Sequence, residues 1–216
     1  MGKKIVVLIS GKLQSGKNTL ASLMGEYCGE FNIPYKEDLF AKNLKDGCVE
    51  DFALLKQVVN KQVTEALKLV SEDKTELREV IGQLMFSDEN YYETKTPITR
   101  SLLQIYGTEI FRNRVNDNHW VDQVVDRINT GTNQIYLITD VRFENEITRV
   151  FEKTNDDIKI VTIRVERNGL KLDLNSEHPS ETGLDDWTSW NWIVENNGTL
   201  ADMKFNAEMI INDMLQ

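Results

Sequence analysis

Apolar residues fall into two kinds of pattern along this chain. Ile5-Val6-Val7-Leu8-Ile9, within residues 4–9, is an unbroken run, as expected of a central strand covered on both faces. Ile135-Tyr136-Leu137-Ile138-Thr139, ending at Asp140, and Ile158–Val165 read the same way. Residues 35–41 and Trp192-Ile193-Val194 give shorter strands. Elsewhere apolar positions recur at helical spacing. Leu20, Leu23, Met24, Tyr27 and Cys28 form one such face, and Val121, Val124, Val125 and Ile128 form another after Asp117-Asn118. Thr199 with Asp202 resembles a capping box, opening a last helix with Leu200, Met203, Ala207, Ile210, Ile211 and Met214 inward.

The middle of the chain reads as helical. A helix is expected around Asn43–Phe52, and residues 54–92 are polar, with Leu77, Val80, Ile81, Leu84 and Met85 as a stripe. Thr96-Pro97 opens another helix, burying Ile98, Leu102, Ile105, Tyr106 and Ile110. Arg100, Gln104 and Thr108 recur at i, i+4 and i+8 and so share its polar face. Strands alternating with helices imply an α/β, three-layer fold around a mostly parallel sheet, in one domain spanning 1–216.

The strongest chemical signal follows the first strand. Gly11-Lys12-Leu13-Gln14-Ser15-Gly16-Lys17-Asn18-Thr19 has two glycines five apart and a lysine opening a helix, the layout of a phosphate-binding loop. Glycines let backbone N–H groups converge on a polyphosphate, and the helix N-terminus adds partial positive charge. The usual pattern has Ser or Thr directly after the lysine; here Asn18 stands there and Thr19 comes one later. Asp140-Val141-Arg142 follows a buried strand, where an acid can hold magnesium or its water shell; the competing reading is a helix cap with a surface arginine. In folds of this kind ligands lie beyond the carboxyl ends of the strands, where both motifs fall.

Composition narrows the partner class. The net charge is −10, from 25 basic and 35 acidic residues, which argues against a nucleic-acid polymer as ligand. All nine arginines lie between Arg78 and Arg167, which suits a small-anion site in the middle of the chain, with ordinary salt bridges accounting for some. Cys28 and Cys48 have neither metal-ligand nor disulfide spacing, and no segment is long enough to span a membrane, so the protein reads as cytoplasmic. His119 reads as a capping or packing residue, and Trp187, Trp190 and Trp192 as packing. Residues 166–186 are polar and suit either a lid or an ordinary surface loop.

Taken in order, these pieces resemble virus-type deoxynucleoside monophosphate kinases of the P-loop superfamily. The resemblance rests on Gly11–Thr19, Leu39-Phe40-Ala41 with Leu44-Lys45, Arg100–Glu109, His119-Trp120-Val121, Thr139–Glu146 and Val194–Thr199. Ser180–Asp186 and Trp190–Gly198 are also similar to animal-type phosphomevalonate kinase, which keeps a second acceptor open. The resemblance implies ATP and magnesium as cofactors, with Lys17, Asp140, Arg142 and Arg167 catalytic. It implies ATP at Gly11, Lys12, Ser15, Gly16, Lys17, Asn18 and Thr19, with Arg167, Asn196 and Asn197 at its other end. The monophosphate would meet Lys45, Arg100, Gln104, Arg112, Arg142 and Glu146, and the metal Thr19 and Asp140, through water where direct reach fails. The family also implies dimerisation, and a viral protein would work in the host cytoplasm. The expected activity is transfer of the ATP γ-phosphoryl group to a deoxynucleoside monophosphate; the alternatives are another small-molecule kinase, phosphomevalonate first, or a non-catalytic ATP-binding regulator.

Overall fold

The structure, a computed structural model, describes residues 3–42, 44, 46, 116–169 and 179–216. The chain divides into two units, Met1–Phe40 with Asp117–Gln216, and Ala41–Asn116, and the first of them is built round one sheet. Expectations for residues 43–115, including the Arg100–Thr108 helix, lie outside the described residues apart from 44 and 46.

Five strands make one parallel sheet: β1 (Ile5–Ser10), β2 (Tyr35–Asp38), β3 (Ile135–Val141), β4 (Lys159–Glu166) and β5 (Trp192–Glu195), in the order β2-β3-β1-β4-β5. Strand β1 is central, with Ile5 opposite Ile135 on one side and Lys159 on the other. The unbroken apolar run of β1 is explained by this position, since all six of its residues are buried. Ile5, Val7 and Ile9 join a core with Leu20, Met24 and Cys28 of α1 (Lys17–Glu30) and Met203, Ala207, Ile210 and Ile211 of the last helix. Val6 and Leu8 alternate to the other face, on which Val121, Val124, Val125 and Ile128 of α2 (His119–Thr130) and Ile147 and Val150 of α3 (Glu144–Lys153) are buried. The short helix α4 (Pro179–Thr182) and the last helix, α5 (Leu200–Leu215), complete the described elements.

Burying the five apolar side chains of β1 is worth on the order of 10 kcal/mol. That exceeds the roughly 1–2 kcal/mol that Gln14, the left-handed non-glycine residue in the loop after it, costs. The sheet therefore anchors a strained turn at its carboxyl edge.

Local readings need four adjustments. Strand β2 ends at Asp38 rather than running to residue 41, because the Asp38 carboxylate accepts the Leu39 N–H (2.8 Å) and pairs with Arg127, turning the chain. Strand β3 continues to Val141, so Asp140 lies within it. Helix α3 goes unpredicted, since its buried stripe is only Glu146, Ile147 and Val150 and its outer face is charged. Leu200 is 64% exposed, not inward: it is the first residue of α5, one turn short of the stripe that starts at Met203. The capping box forms as expected, with the Thr199 N–H donating to Asp202 Oδ2 (2.7 Å) and the Asp202 N–H to Thr199 Oγ1 (3.3 Å).

Candidate active site

The carboxyl end of β1 opens into the glycine loop. Gly11 (φ 151°), Gln14 (φ 62°) and Gly16 (φ 104°) all have positive φ. A side chain at Gly11 would run into the Val165 carbonyl oxygen and Ser15 Oγ, and one at Gly16 into the Asn196 amide. The Ser15 N–H closes the turn onto the Lys12 carbonyl (3.1 Å), and Leu20 N–H onto Gly16 (2.9 Å) starts α1. Ser15 Oγ is buried with no hydrogen-bond partner, and Asn18 and Thr19 stand exposed on the first turn of α1.

Lys17 curls over its own loop, donating to the carbonyls of Gly11 (2.5 Å) and Lys12 (2.9 Å). Burial, then the nearby charges of Arg142 and Arg164, hold its ammonium down at about 8 from an ordinary 10.5, against the opposing pull of Glu181 and Asp140. Desolvated cations gathered round a loop of N–H groups make a place that favours an anion. The loop therefore fits a polyphosphate in backbone shape, orphaned hydroxyl and charge.

Asp140 lies on the neighbouring strand β3, and Arg142 follows directly on its end. Asp140 Oδ1 accepts the Phe40 N–H at 2.9 Å. Arg142 Nη1 donates to the Ser180 carbonyl (2.9 Å) and forms an ion pair with Glu181 Oε1. Glu181 Oε2 accepts the Leu13 N–H of the glycine loop (3.0 Å). Glu146 is 3% exposed, and its Oε2 accepts the backbone N–H groups of Arg142 (2.7 Å) and Phe143 (3.0 Å). Through these bonds it caps α3 and fixes the backbone of Arg142.

At the other end of the loop, Asn196 Nδ2 donates to the Ser15 carbonyl (2.8 Å), tying the segment after β5 to the turn. Arg167, Asn168, Asn196, Asn197 and Gly198 line an open cleft of about 430 Å³. Asn197 Oδ1 accepts the Asn168 N–H (2.8 Å), bridging its two walls. The structure thus brings Arg167, Asn196 and Asn197 together. Lys45, Arg100, Gln104 and Arg112 lie outside the described residues.

Sequence reasoning passes over three charged groups at this end of the sheet. Arg164, opposite Ser10 in the β1–β4 register, is 8% exposed. It donates to Ser10 Oγ (3.3 Å) and Asp185 Oδ1 (3.0 Å) and lies 5.8 Å from the Trp190 ring centre. Asp185 Oδ2 also takes Lys12 Nζ at 2.7 Å. The signal for Arg164 is present, since it is the one charge inside the run Ile160–Val165. Glu181 and Asp185 carry none, because acids in a polar segment look like solvated surface. Arg127 and Arg149 pair elsewhere, with Asp38 and Asp122. The His119 ring meets Trp120 edge-on, at 4.5 Å between ring centres, and Nε2 lies 3.1 Å from Gln123 Nε2.

Over the whole chain the fold is similar to a solved structure titled APE1195, at TM-score 0.52 and 11% identity, with 100% of this chain and 99% of that one covered. The chain is also similar to the deoxynucleoside-5′-monophosphate kinase of Escherichia phage T5, 28% identical over 135 residues, or 62% of this chain. That alignment takes in 48% of the phage protein, so the chain spans about half the length of the curated relative it matches. The family model for deoxynucleotide monophosphate kinase matches residues 43–206, most of the chain. With the parallel sheet and glycine loop already in place, that match assigns the protein: it belongs to the deoxynucleotide monophosphate kinase family.

Proposed function

We propose that the chain is an ATP-dependent kinase that transfers the γ-phosphoryl group to a deoxynucleoside 5′-monophosphate, giving the diphosphate for DNA precursor supply. The single supporting observation is that the two sides of the reaction share one side chain. Glu181 touches the donor loop at Leu13 N–H and pairs with Arg142, the arginine assigned to the acceptor phosphate. A group held by Arg142 would therefore lie within a side chain's reach of one held by the loop, as in-line transfer requires.

No general base is needed. The second pKa of a phosphate monoester is about 6, so the acceptor oxygen is already ionised at pH 7. What remains for the protein is positioning and charge neutralisation, and Lys17, Arg142 and Arg164 bring three cations to that end of the sheet. Asp140 and Thr19 offer hard oxygen donors of the kind magnesium takes, and they are the residues that would hold it. Bound there, the ion would help neutralise the phosphate charge. The Arg167–Asn197 cleft, joined to the loop through Asn196, takes the nucleoside end of ATP in this reading. In this reading residues 1–216 are one kinase domain, and residues 54–92 lie outside the described residues. The phage relative's name supports the acceptor class, and dimerisation and a host-cytoplasm setting belong to the same reading.

The test is ADP release from magnesium ATP with each deoxynucleoside monophosphate in turn, and with phosphomevalonate in parallel. Turnover with one or more deoxynucleotides and none with phosphomevalonate is expected. Turnover with phosphomevalonate alone would move the acceptor and keep the phosphate site. ATP binding with no acceptor-dependent turnover would overturn the kinase reading.

A further inference from the structure

We infer that Glu181 is an internal stand-in for a substrate phosphate, and that it decides which anions the glycine loop accepts. This rests on the loop being the phosphate site proposed above. The carboxylate bridges a loop N–H, that of Leu13, and the guanidinium of Arg142, the two kinds of donor that a phosphate oxygen takes. Four residues on, Asp185 repeats the arrangement, with one oxygen on Lys12 (2.7 Å) and the other on Arg164 (3.0 Å). One short segment, Pro179–Asp185, thus sets two carboxylates against three cations and one loop amide.

The segment is built to be held in place and to be released. Its helix is a single turn of four residues, with Gly183 N–H bonded to the Pro179 carbonyl (2.8 Å) and Asp185 N–H to that of Thr182 (2.9 Å). Leu184, 3% exposed, is its buried apolar anchor. Gly183 sits close over the turn that follows β3: a Cβ there would lie 2.9 Å from the Arg142 carbonyl oxygen. The two ion pairs differ in depth. Side-chain exposure is 14% for Glu181 and 36% for Asp185, so the Glu181 charge governs the exchange and Asp185 adds to it.

Competition follows from charge. A carboxylate brings one negative charge and two oxygens. A single phosphate brings about two charges at one point, partly offset by the carboxylate it must displace, whereas a polyphosphate brings several and can engage the loop amides and Lys17 together with Arg142. The internal carboxylate therefore excludes single phosphates from the loop and yields to a polyphosphate.

The experiment is calorimetric titration of inorganic tripolyphosphate and of orthophosphate into wild type, Glu181→Gln and Asp185→Asn. Glutamine keeps an oxygen for Leu13 N–H and removes the charge. Glu181→Gln should bind tripolyphosphate about tenfold tighter and gain measurable orthophosphate binding, with a smaller gain for Asp185→Asn. Hydrogen exchange on the wild type supplies an arm that needs no variant, and amides 180–187 should exchange faster once tripolyphosphate is bound. Unchanged or weaker binding by Glu181→Gln, or greater protection of those amides, would overturn the inference and make Glu181 part of the binding site. Failure of the wild type to bind tripolyphosphate would overturn the phosphate-site reading together with this one.

Discussion

Lys17 concentrates the chemistry at the residue scale. Replacing it with Ala should lower turnover by at least 10²–10³-fold, on the scale of other lost transition-state charge contacts. Circular dichroism should show the fold retained, and near-full turnover by the folded variant would remove Lys17 from the mechanism. Its ammonium, held at about 8, also predicts a pH effect on binding. A bound polyphosphate favours the charged form, so above pH 8 binding must take up a proton, and affinity falls by up to tenfold per pH unit. Calorimetry in two buffers of different ionisation enthalpy would count that proton, and an uptake of zero at pH 9 contradicts the assignment. The sign for folding is opposite: the unfolded chain holds this proton up to 10.5, so stability contributed here rises between 8 and 10.5. Asp38 works the other way. Burial alone would raise its carboxyl, but the bonds from Arg127 (2.7 and 2.9 Å) and Leu39 N–H outweigh that and hold it below its usual value. Its stabilisation is therefore present at neutral pH and lost as acid passes through the depressed value. Asp38→Ala, which strands Arg127, should cost about 3 kcal/mol in urea unfolding.

Among the elements, the loop and the β5–α5 connection act as one piece, because Asn196 holds the Ser15 carbonyl and fills the space beside Gly16. Gly16→Ala should cost about 1–2 kcal/mol from its positive φ alone and displace the Asn196 amide. Polyphosphate affinity should fall at least tenfold, and an unchanged affinity would mean that the loop tolerates another shape. The elements also show where sequence is readable. Strands β1, β3 and β4 are legible because both of their faces are buried, and the glycine loop because its backbone conformation demands glycine. Helix α3 is not, since a buried stripe of three residues leaves no period to detect. The pairing of Glu181 with Arg142, 39 positions apart, is unreadable for another reason. Nothing local marks an acid as buried, and only the crossing of α4 over the end of β3 makes it so.

For the whole molecule, charge and connectivity matter most. A net charge of −10 repels ATP at long range, while the cations of the site act only at short range. Adding salt from about 10 to 100 mM, which shortens the screening length from about 30 to 10 Å, should therefore speed ATP association. Stopped-flow fluorescence would read this, and a rate that falls with salt would mean that the local cations dominate the approach. The overall architecture is legible from strand–helix alternation, but strand order is not, since β1 pairs with partners more than a hundred residues away. That order has a consequence for biosynthesis. Among the described strands, β1 bonds only to β3 and β4, starting at Ile135 and Lys159, and β2 only to β3. At about 5–20 residues per second, a ribosome needs roughly 6–25 s to pass from β1 to β3. Throughout that interval the apolar β1 segment lacks both of its described partner strands. The chain should therefore depend on chaperone cover early in translation, and a message truncated before β3 should yield an insoluble product.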